Sequence, residues 1–157
     1  MIRDLTPANL MITPEGVLKL VELEFMAVPA EPAQIIGTRG YAAPEQIGDD
    51  GPVGSLTGIA PAPRQTADLY SLGVLLFTLT CGIDPGLVAD RPQKRSIPQR
   101  LAHLVRMTAR YNPATRALAP AILGLIAADP DERWSLERVG EVLATAADDP
   151  EPALERA

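Results

Sequence analysis

Two spacings of apolar residues divide the chain. Near the start, Leu10-Met11-Ile12 and Val17-Leu18-Lys19-Leu20-Val21 flank Thr13-Pro14-Glu15-Gly16. Short apolar runs on either side of a Pro/Gly segment predict two strands joined by a turn. From residue 66 the spacing becomes helical. The stretch 66–80 is apolar nearly all the way round, which predicts a helix buried on every side, capped by Thr66 and stopped at Gly82. Residues 97–111 place Leu101, Leu104, Val105 and Thr108 on one face, and residues 115–128 repeat this with Leu118, Ile122, Leu125 and Ile126, with Pro120 near the second start. Ser135 reads as the cap of a last helix whose Leu136, Val139, Val142 and Leu143 turn inward. Between these elements, 25–42 is rich in Pro and Ala with glycines at 37 and 40, and 48–63 is a run of Gly, Asp and Pro; both predict loops, the second a surface insertion without chemistry. The pattern is that of one domain over residues 1–147, mainly α with a short β-hairpin, followed by a disordered acidic tail at 148–157.

Composition narrows the classes of function. A chain of 157 residues, 46% hydrophobic, can bury a core, and with aromatics at 4% that core is built of Leu, Ile, Val and Ala. Twenty acidic against 14 basic residues give a net charge of −6, which argues against nucleic acid as a partner. Cys81 is the only cysteine and His103 the only histidine, so an intrachain disulfide and a Cys/His metal cluster are excluded. No basic-then-apolar leader occurs, and no apolar run approaches the ~18 residues of a membrane span. A cytoplasmic protein without a membrane partner is the expectation.

The chemistry concentrates in Arg3-Asp4-Leu5-Thr6-Pro7-Ala8-Asn9. A carboxylate and a carboxamide on one tight loop can face a single phosphoryl group from two sides, one toward the attacking oxygen and the other toward a metal. Alone, the heptapeptide reads equally well as an Asp cap and a Pro turn ahead of a strand. Further strings follow in order: Glu22-Leu23-Glu24, the stretch from Gly37-Thr38-Arg39-Gly40-Tyr41 to Ala43-Pro44-Glu45, Asp68-Leu69-Tyr70-Ser71-Leu72-Gly73, and Asp129-Pro130-Asp131-Glu132-Arg133-Trp134-Ser135.

In that order the strings resemble the large, C-terminal lobe of protein kinases from residue 3 to about residue 145. The resemblance implies a kinase-like C-lobe lacking the N-lobe, and a Ser/Thr-type phosphoryl transfer from ATP with Mg2+ to a peptide or protein hydroxyl. It assigns Asp4 as the acceptor of the hydroxyl proton, and Asn9 and Glu22 as magnesium ligands on the nucleotide side. Glu22 stands where the family has the Asp of Asp-Phe-Gly, and Glu24, where it has the Gly, adds a carboxylate that shares the metal or repels the phosphates. Thr38 and Arg39 would shape the substrate seat, with Thr38 open to two readings, a phosphorylation site or a turn hydroxyl. Arg3 and Asp68 would support the catalytic loop, Asp68 by accepting from its backbone, and Arg133 would pair with Glu45.

The sequence departs from the family in further respects. It contains no glycine-rich loop and no phosphate-pairing lysine; its lysines, Lys19 and Lys94, follow no small-lobe strand pattern. A separate small lobe or an upstream segment is therefore expected as a partner. Thr6 stands where many Ser/Thr kinases carry a lysine aimed at the transferred phosphate, and losing such a donor costs ~2.7 to 4 kcal/mol. The combination Arg-Asp-Leu-Thr-Pro-x-Asn with Glu-Leu-Glu is similar to the kinase-like domain of class III and IV lanthipeptide synthetases. Three readings stay open: a partial kinase, a pseudokinase-type binding module, or a truncated fragment whose upper face exposes apolar surface.

Overall fold

Helix α2 (Thr66–Cys81) is the strut on which the other helices pack. Its buried Tyr70, Val74 and Phe77 meet Leu101 and Val105 of α4 (Ile97–Thr108), Ile122 of α5 (Pro113–Leu125) and the following Ile126. At Gly73 an added Cβ would lie 2.6 Å from Leu125 Cβ and 2.8 Å from Ile126 Cγ2, so α2 and α5 close over bare backbone. Helix α6 (Leu136–Asp148) lies against the far side of α5, where Val139 packs with Ala121 and Leu125. Two short helices complete the set: α1 (Pro44–Ile47) and α3 (Pro85–Ala89). This computed structural model describes residues 1–28, 33–34, 37–47, 59–60, 64–90 and 95–148. Most of the expected insertion at 48–63, and the tail beyond residue 148, lie outside them.

The predicted hairpin is present. Strands β1 (Leu10–Ile12) and β2 (Leu18–Leu20) are antiparallel with Leu10 opposite Leu20 and Ile12 opposite Leu18. Its outward apolar side is uncovered, Ile12 being 72% and Leu18 62% exposed. The architecture is thus mainly helical with an antiparallel hairpin at one end, as the hydrophobic pattern predicts.

Several predicted details are corrected by the structure. Thr66 is not the cap: the chain is already helical in backbone angle at Gln65, so Thr66 sits in the first turn. Among the described residues its buried hydroxyl has no hydrogen-bond partner. Burial of α2 on every side fails at Leu79, which is exposed near the C-terminal end. Helix α4 stops at Thr108 because Arg110 N–H and Tyr111 N–H turn back tightly onto the carbonyls of Met107 and Thr108. Its start carries a capping box, Ser96 with Gln99, that hydrophobic spacing alone does not reveal. Helix α5 begins at Pro113, earlier than predicted, because Asn112 Oδ1 accepts from Thr115 N–H at 3.0 Å. Pro120 lies inside that helix. On α6, Leu136 and Leu143 face outward while Val139 is buried; the helix rests on α5 along a narrow stripe, and both leucines fall at its margin. Two stretches read as loop instead form a second antiparallel pair, β3 (Ala33–Gln34) with β4 (Ile59–Ala60).

Candidate active site

The loop ahead of β1 is set from below by α2. Asp68 accepts from Ile2 N–H and Arg3 N–H, each at 2.8 Å, one through each carboxylate oxygen. That grip holds Arg3 at a φ of +72°, a left-handed conformation costing a non-glycine residue about 1–3 kcal/mol. The Arg3 side chain is buried and its Nη1 reaches Phe25 O at 3.5 Å. Burial pulls its guanidinium below the ordinary arginine value, with the Asp68 charge acting in the opposite direction. Beyond Asp4, Pro7 opens a single 3-10 turn (Pro7–Asn9) that folds Asn9 back over the loop. Asn9 Nδ2 then donates to Asp4 O at 2.8 Å and to Asp4 Oδ2 at 3.1 Å.

The other Asp4 oxygen is met from a distant part of the chain. Oδ1 accepts from Thr38 N–H at 2.9 Å and from the Thr38 hydroxyl at 2.7 Å. Thr38 is brought there by Gly40, whose φ is +88° and where a Cβ would stand 2.5 Å from the Pro85 carbonyl carbon, so only glycine lets this loop lie on α3. Arg39, next to it, pairs with Asp90 through a 2.7 Å contact on the surface. Downstream, Ser71 Oγ donates to Tyr41 O at 2.9 Å, and the Tyr41 hydroxyl lies 3.1 Å from Thr78 Oγ1. Burial raises the Tyr41 phenol above its ordinary value, partly offset by that hydroxyl contact.

Gln46 was not singled out in the sequence, yet it joins two parts of the site. Its Oε1 accepts from Ala43 N–H at 2.9 Å, and its Nε2 donates to Arg3 O at 3.3 Å. The available signal was a Gln at the third position of a short helix opened by Pro, the place from which a side chain reaches back to the cap. Glu45, beside it, meets Arg133: Nη1 to Oε1 at 2.5 Å and Nη2 to Oε2 at 2.7 Å. The Arg133 guanidinium also donates to Thr66 O and Ala127 O and lies 5.1 Å from the centre of the Tyr70 ring. One buried cation thus ties the start of α2 and the end of α5 to α1. The Tyr70 hydroxyl beneath it is held far above the ordinary phenol range by burial, despite the nearby Arg133.

Glu22 follows β2. Val21 N–H donates to Asn9 O at 3.0 Å, bringing the end of the hairpin beside the Asp4–Asn9 loop. Glu22 then adopts φ +55° and opens a 3-10 turn (Leu23–Phe25). Glu22 and Glu24 are both exposed. Among the described residues, no group of three or more His, Cys, Asp or Glu gathers to hold a metal. A cation fully caged by protein therefore does not fit this set. Magnesium does fit, since it keeps waters and phosphate oxygens and takes only one or two protein ligands. With its nitrogen committed to Asp4, Asn9 would have its amide oxygen left for such an ion, and Glu22 would offer an exposed carboxylate.

Comparison with known proteins bears on the family of the chain as a whole. A family model described as protein kinase domain matches residues 1–143. The chain is 28% identical over 143 residues to the serine/threonine-protein kinase PksC of Streptomyces coelicolor, covering 84% of this chain and 23% of that protein. It is 26% identical over 139 residues to the serine/threonine-protein kinase PknB of Mycolicibacterium smegmatis (84% and 20%), and 34% identical over 94 residues to CBL-interacting serine/threonine-protein kinase 24 of Arabidopsis thaliana (57% and 19%). It spans about a fifth of the length of these relatives. No described helix is long and apolar enough to cross a membrane. With the family match running through nearly the whole helical body and the hairpin, the chain belongs to the protein kinase family.

Proposed function

We propose that residues 1–147 form the substrate-side lobe of a Ser/Thr-type protein kinase, acting on a peptide or protein hydroxyl with ATP and Mg2+ as cofactors. The observation that carries this reading is the hydroxyl already seated on Asp4: Thr38 Oγ1 donates to Asp4 Oδ1 at 2.7 Å while Asn9 holds the other oxygen. The carboxylate is oriented from both sides and only half-buried, so an incoming hydroxyl can reach it. In this reading Asp4 accepts the proton of the attacking hydroxyl. Asn9 and Glu22 hold the ion, Glu24 lies within the same acidic turn, and Thr38 with Arg39 forms the peptide seat. Arg3, Asp68, Glu45 and Arg133 keep these parts in register. A bound magnesium nucleotide supplies the transferable phosphoryl group and the charge that neutralises it. The uncovered apolar side of the hairpin, with Met11, Ile12, Val17 and Leu18 exposed, fits coverage by a small lobe carried upstream or on another chain.

The test is phosphoryl transfer by the chain together with that lobe. Asp4→Asn preserves shape and removes the base, so turnover is expected to drop by about 10²–10⁴-fold. Unchanged turnover in a variant that melts like the parent would refute the assignment.

A second reading, a pseudokinase-type docking module, is favoured by Thr6, which is buried and so presents neither charge nor an exposed donor where the family's lysine would point. It predicts no thermal shift with magnesium nucleotide even when the small lobe is present. Within the kinase reading, the Glu22-Leu23-Glu24 string supports kinship with the class III and IV lanthipeptide synthetases.

A further inference from the structure

The basic residues of this acidic chain are unevenly placed. No carboxylate occurs between Asp90 and Asp129, yet seven of the 14 basic residues fall at positions 91–116. The ion pairs among the described residues are Arg39–Asp90, Arg64–Asp131 and Arg133–Glu45, so Arg95 and Arg106 have no carboxylate partner among them. Both are exposed, Arg95 just ahead of the Ser96 cap of α4 and Arg106 within that helix. Beside them, between α3 and α4, is a cavity of about 330 Å³ with an apolar floor that includes Leu87, Val88 and Leu104 and with Arg95 and His103 at its edge. Arg95 and His103 also line a shallower trough of about 490 Å³ that runs along α4 past Arg106 toward the end of α5. The two hollows thus share the Arg95 cation and the His103 ring at their rim, and Leu87, 62% exposed, lines the first of them. Arg100 donates to Val88 O and pins α3 to α4, which keeps the floor in place.

We propose that this α3–α4 face is a docking site for a short acidic segment of a partner protein, one in which an aliphatic side chain adjoins two or more carboxylates. Charge complementarity selects the occupant. The carboxylates would meet Arg95, His103 and Arg106 within the roughly 8–10 Å over which surface charges act at ordinary salt. The aliphatic side chain would fill the Leu87–Leu104 hollow, which a nucleic acid backbone leaves empty, and the chain's net charge of −6 disfavours a polyanion at longer range. The site is one short helix away from the Thr38 loop, because α3 carries the backbone on which Gly40 rests and is followed by the Asp90 that pairs with Arg39. Docking does not require phosphoryl transfer, so it stands or falls separately from the kinase reading.

The experiment is fluorescence anisotropy on the full chain with a labelled Glu-rich peptide containing a central Leu-Leu pair. The comparison probes carry Ser-Ser in place of Leu-Leu or Lys in place of Glu, and a single-stranded oligonucleotide is included. Saturable binding of the Glu/Leu peptide is expected. The Leu-to-Ser change, the paired substitution Arg95→Glu with Arg106→Glu, and Leu87→Asp should each weaken it at least about tenfold. All three substituted residues are exposed, so the variants should melt like the parent. The proposal is overturned by absence of saturable binding, by binding indifferent to charge reversal or to loss of the leucines, or by tighter binding of the oligonucleotide.

Discussion

Replacing Arg133 with Leu removes a wholly buried guanidinium that makes five hydrogen bonds, two to Glu45 and one each to Thr66 O, Ala127 O and Ala128 O. The Glu45 carboxylate is left behind, and its side chain is only 26% exposed. Breaking a buried pair from one side costs about 3–5 kcal/mol, because the remaining charge is uncompensated. Water reaching Glu45 lowers that figure, while the stranded carbonyls raise it by about 1 kcal/mol each, so about 3–5 kcal/mol remains the expectation. For a chain of this size that is a fall in Tm of about 6–20 °C. Glu45→Gln keeps one acceptor oxygen but loses the charge and turns the other oxygen into a donor facing an Arg133 N–H; with one hydrogen bond retained its cost should be smaller, about 1.5–3 kcal/mol. Urea denaturation of both single variants and of the double variant closes a thermodynamic cycle. A coupling of about 1–3 kcal/mol is expected, with the double variant less damaged than the sum of the singles. If Arg133→Leu costs under about 0.5 kcal/mol, or if the two changes simply add, then the pair does not tie α1 to the helical body and the reasoning fails.

Two glycines should respond in opposite directions. At Gly124 a Cβ would stand 2.3–2.5 Å from atoms of the Trp134 ring, so Gly124→Ala should cost about 1–3 kcal/mol in urea melts. At Gly140, exposed within α6, a Cβ meets nothing within 4 Å, so Gly140→Ala should stabilise by about 0.5–1 kcal/mol; the same sign for both would contradict the packing. The Tyr70 phenol has a folded-state pKa above its unfolded value of about 10, so its contribution is fully present below pH about 10 and is lost as the pH rises past it toward the folded value. Stability should therefore fall in strong alkali, and Tyr70→Phe should flatten that decline. An unaltered slope in the variant would show that Tyr70 is not the group responsible.

The sequence by itself determined the kinds of element and the strings that carry chemistry. Short apolar runs around a Pro/Gly turn can hardly form anything but a hairpin, and the near-continuous apolar stretch at 66–80 can hardly avoid the centre of the helical body, because both outcomes follow from local backbone preference and apolar burial. Helix edges were less legible. The caps that set two of them, the Ser96–Gln99 box and Asn112, act through hydrogen bonds that hydrophobic spacing does not record, and Gln65 begins α2 through its helical backbone angles alone. Nor could periodicity tell that Leu136 and Leu143 would face water, since the width of a buried stripe depends on how many neighbours a helix has.

The family resemblance already pointed to Asp68 beneath the Asp4 loop and to Arg133 on Glu45, contacts that span 65 and 88 positions. What only the tertiary structure decided is that the Thr38 hydroxyl, 34 positions on, sits on Asp4 Oδ1. Gln46 links Arg3 to the cap of α1; its place at the third position of a helix opened by Pro announces the cap contact but not the one to Arg3. Such contacts arise because separate helices give the segments their footing: α2 holds Ile2 and Arg3 through Asp68 and Tyr41 through Ser71, while α3 carries the Thr38 loop through Gly40, so segments with no local reason to approach each other are brought together by helix packing.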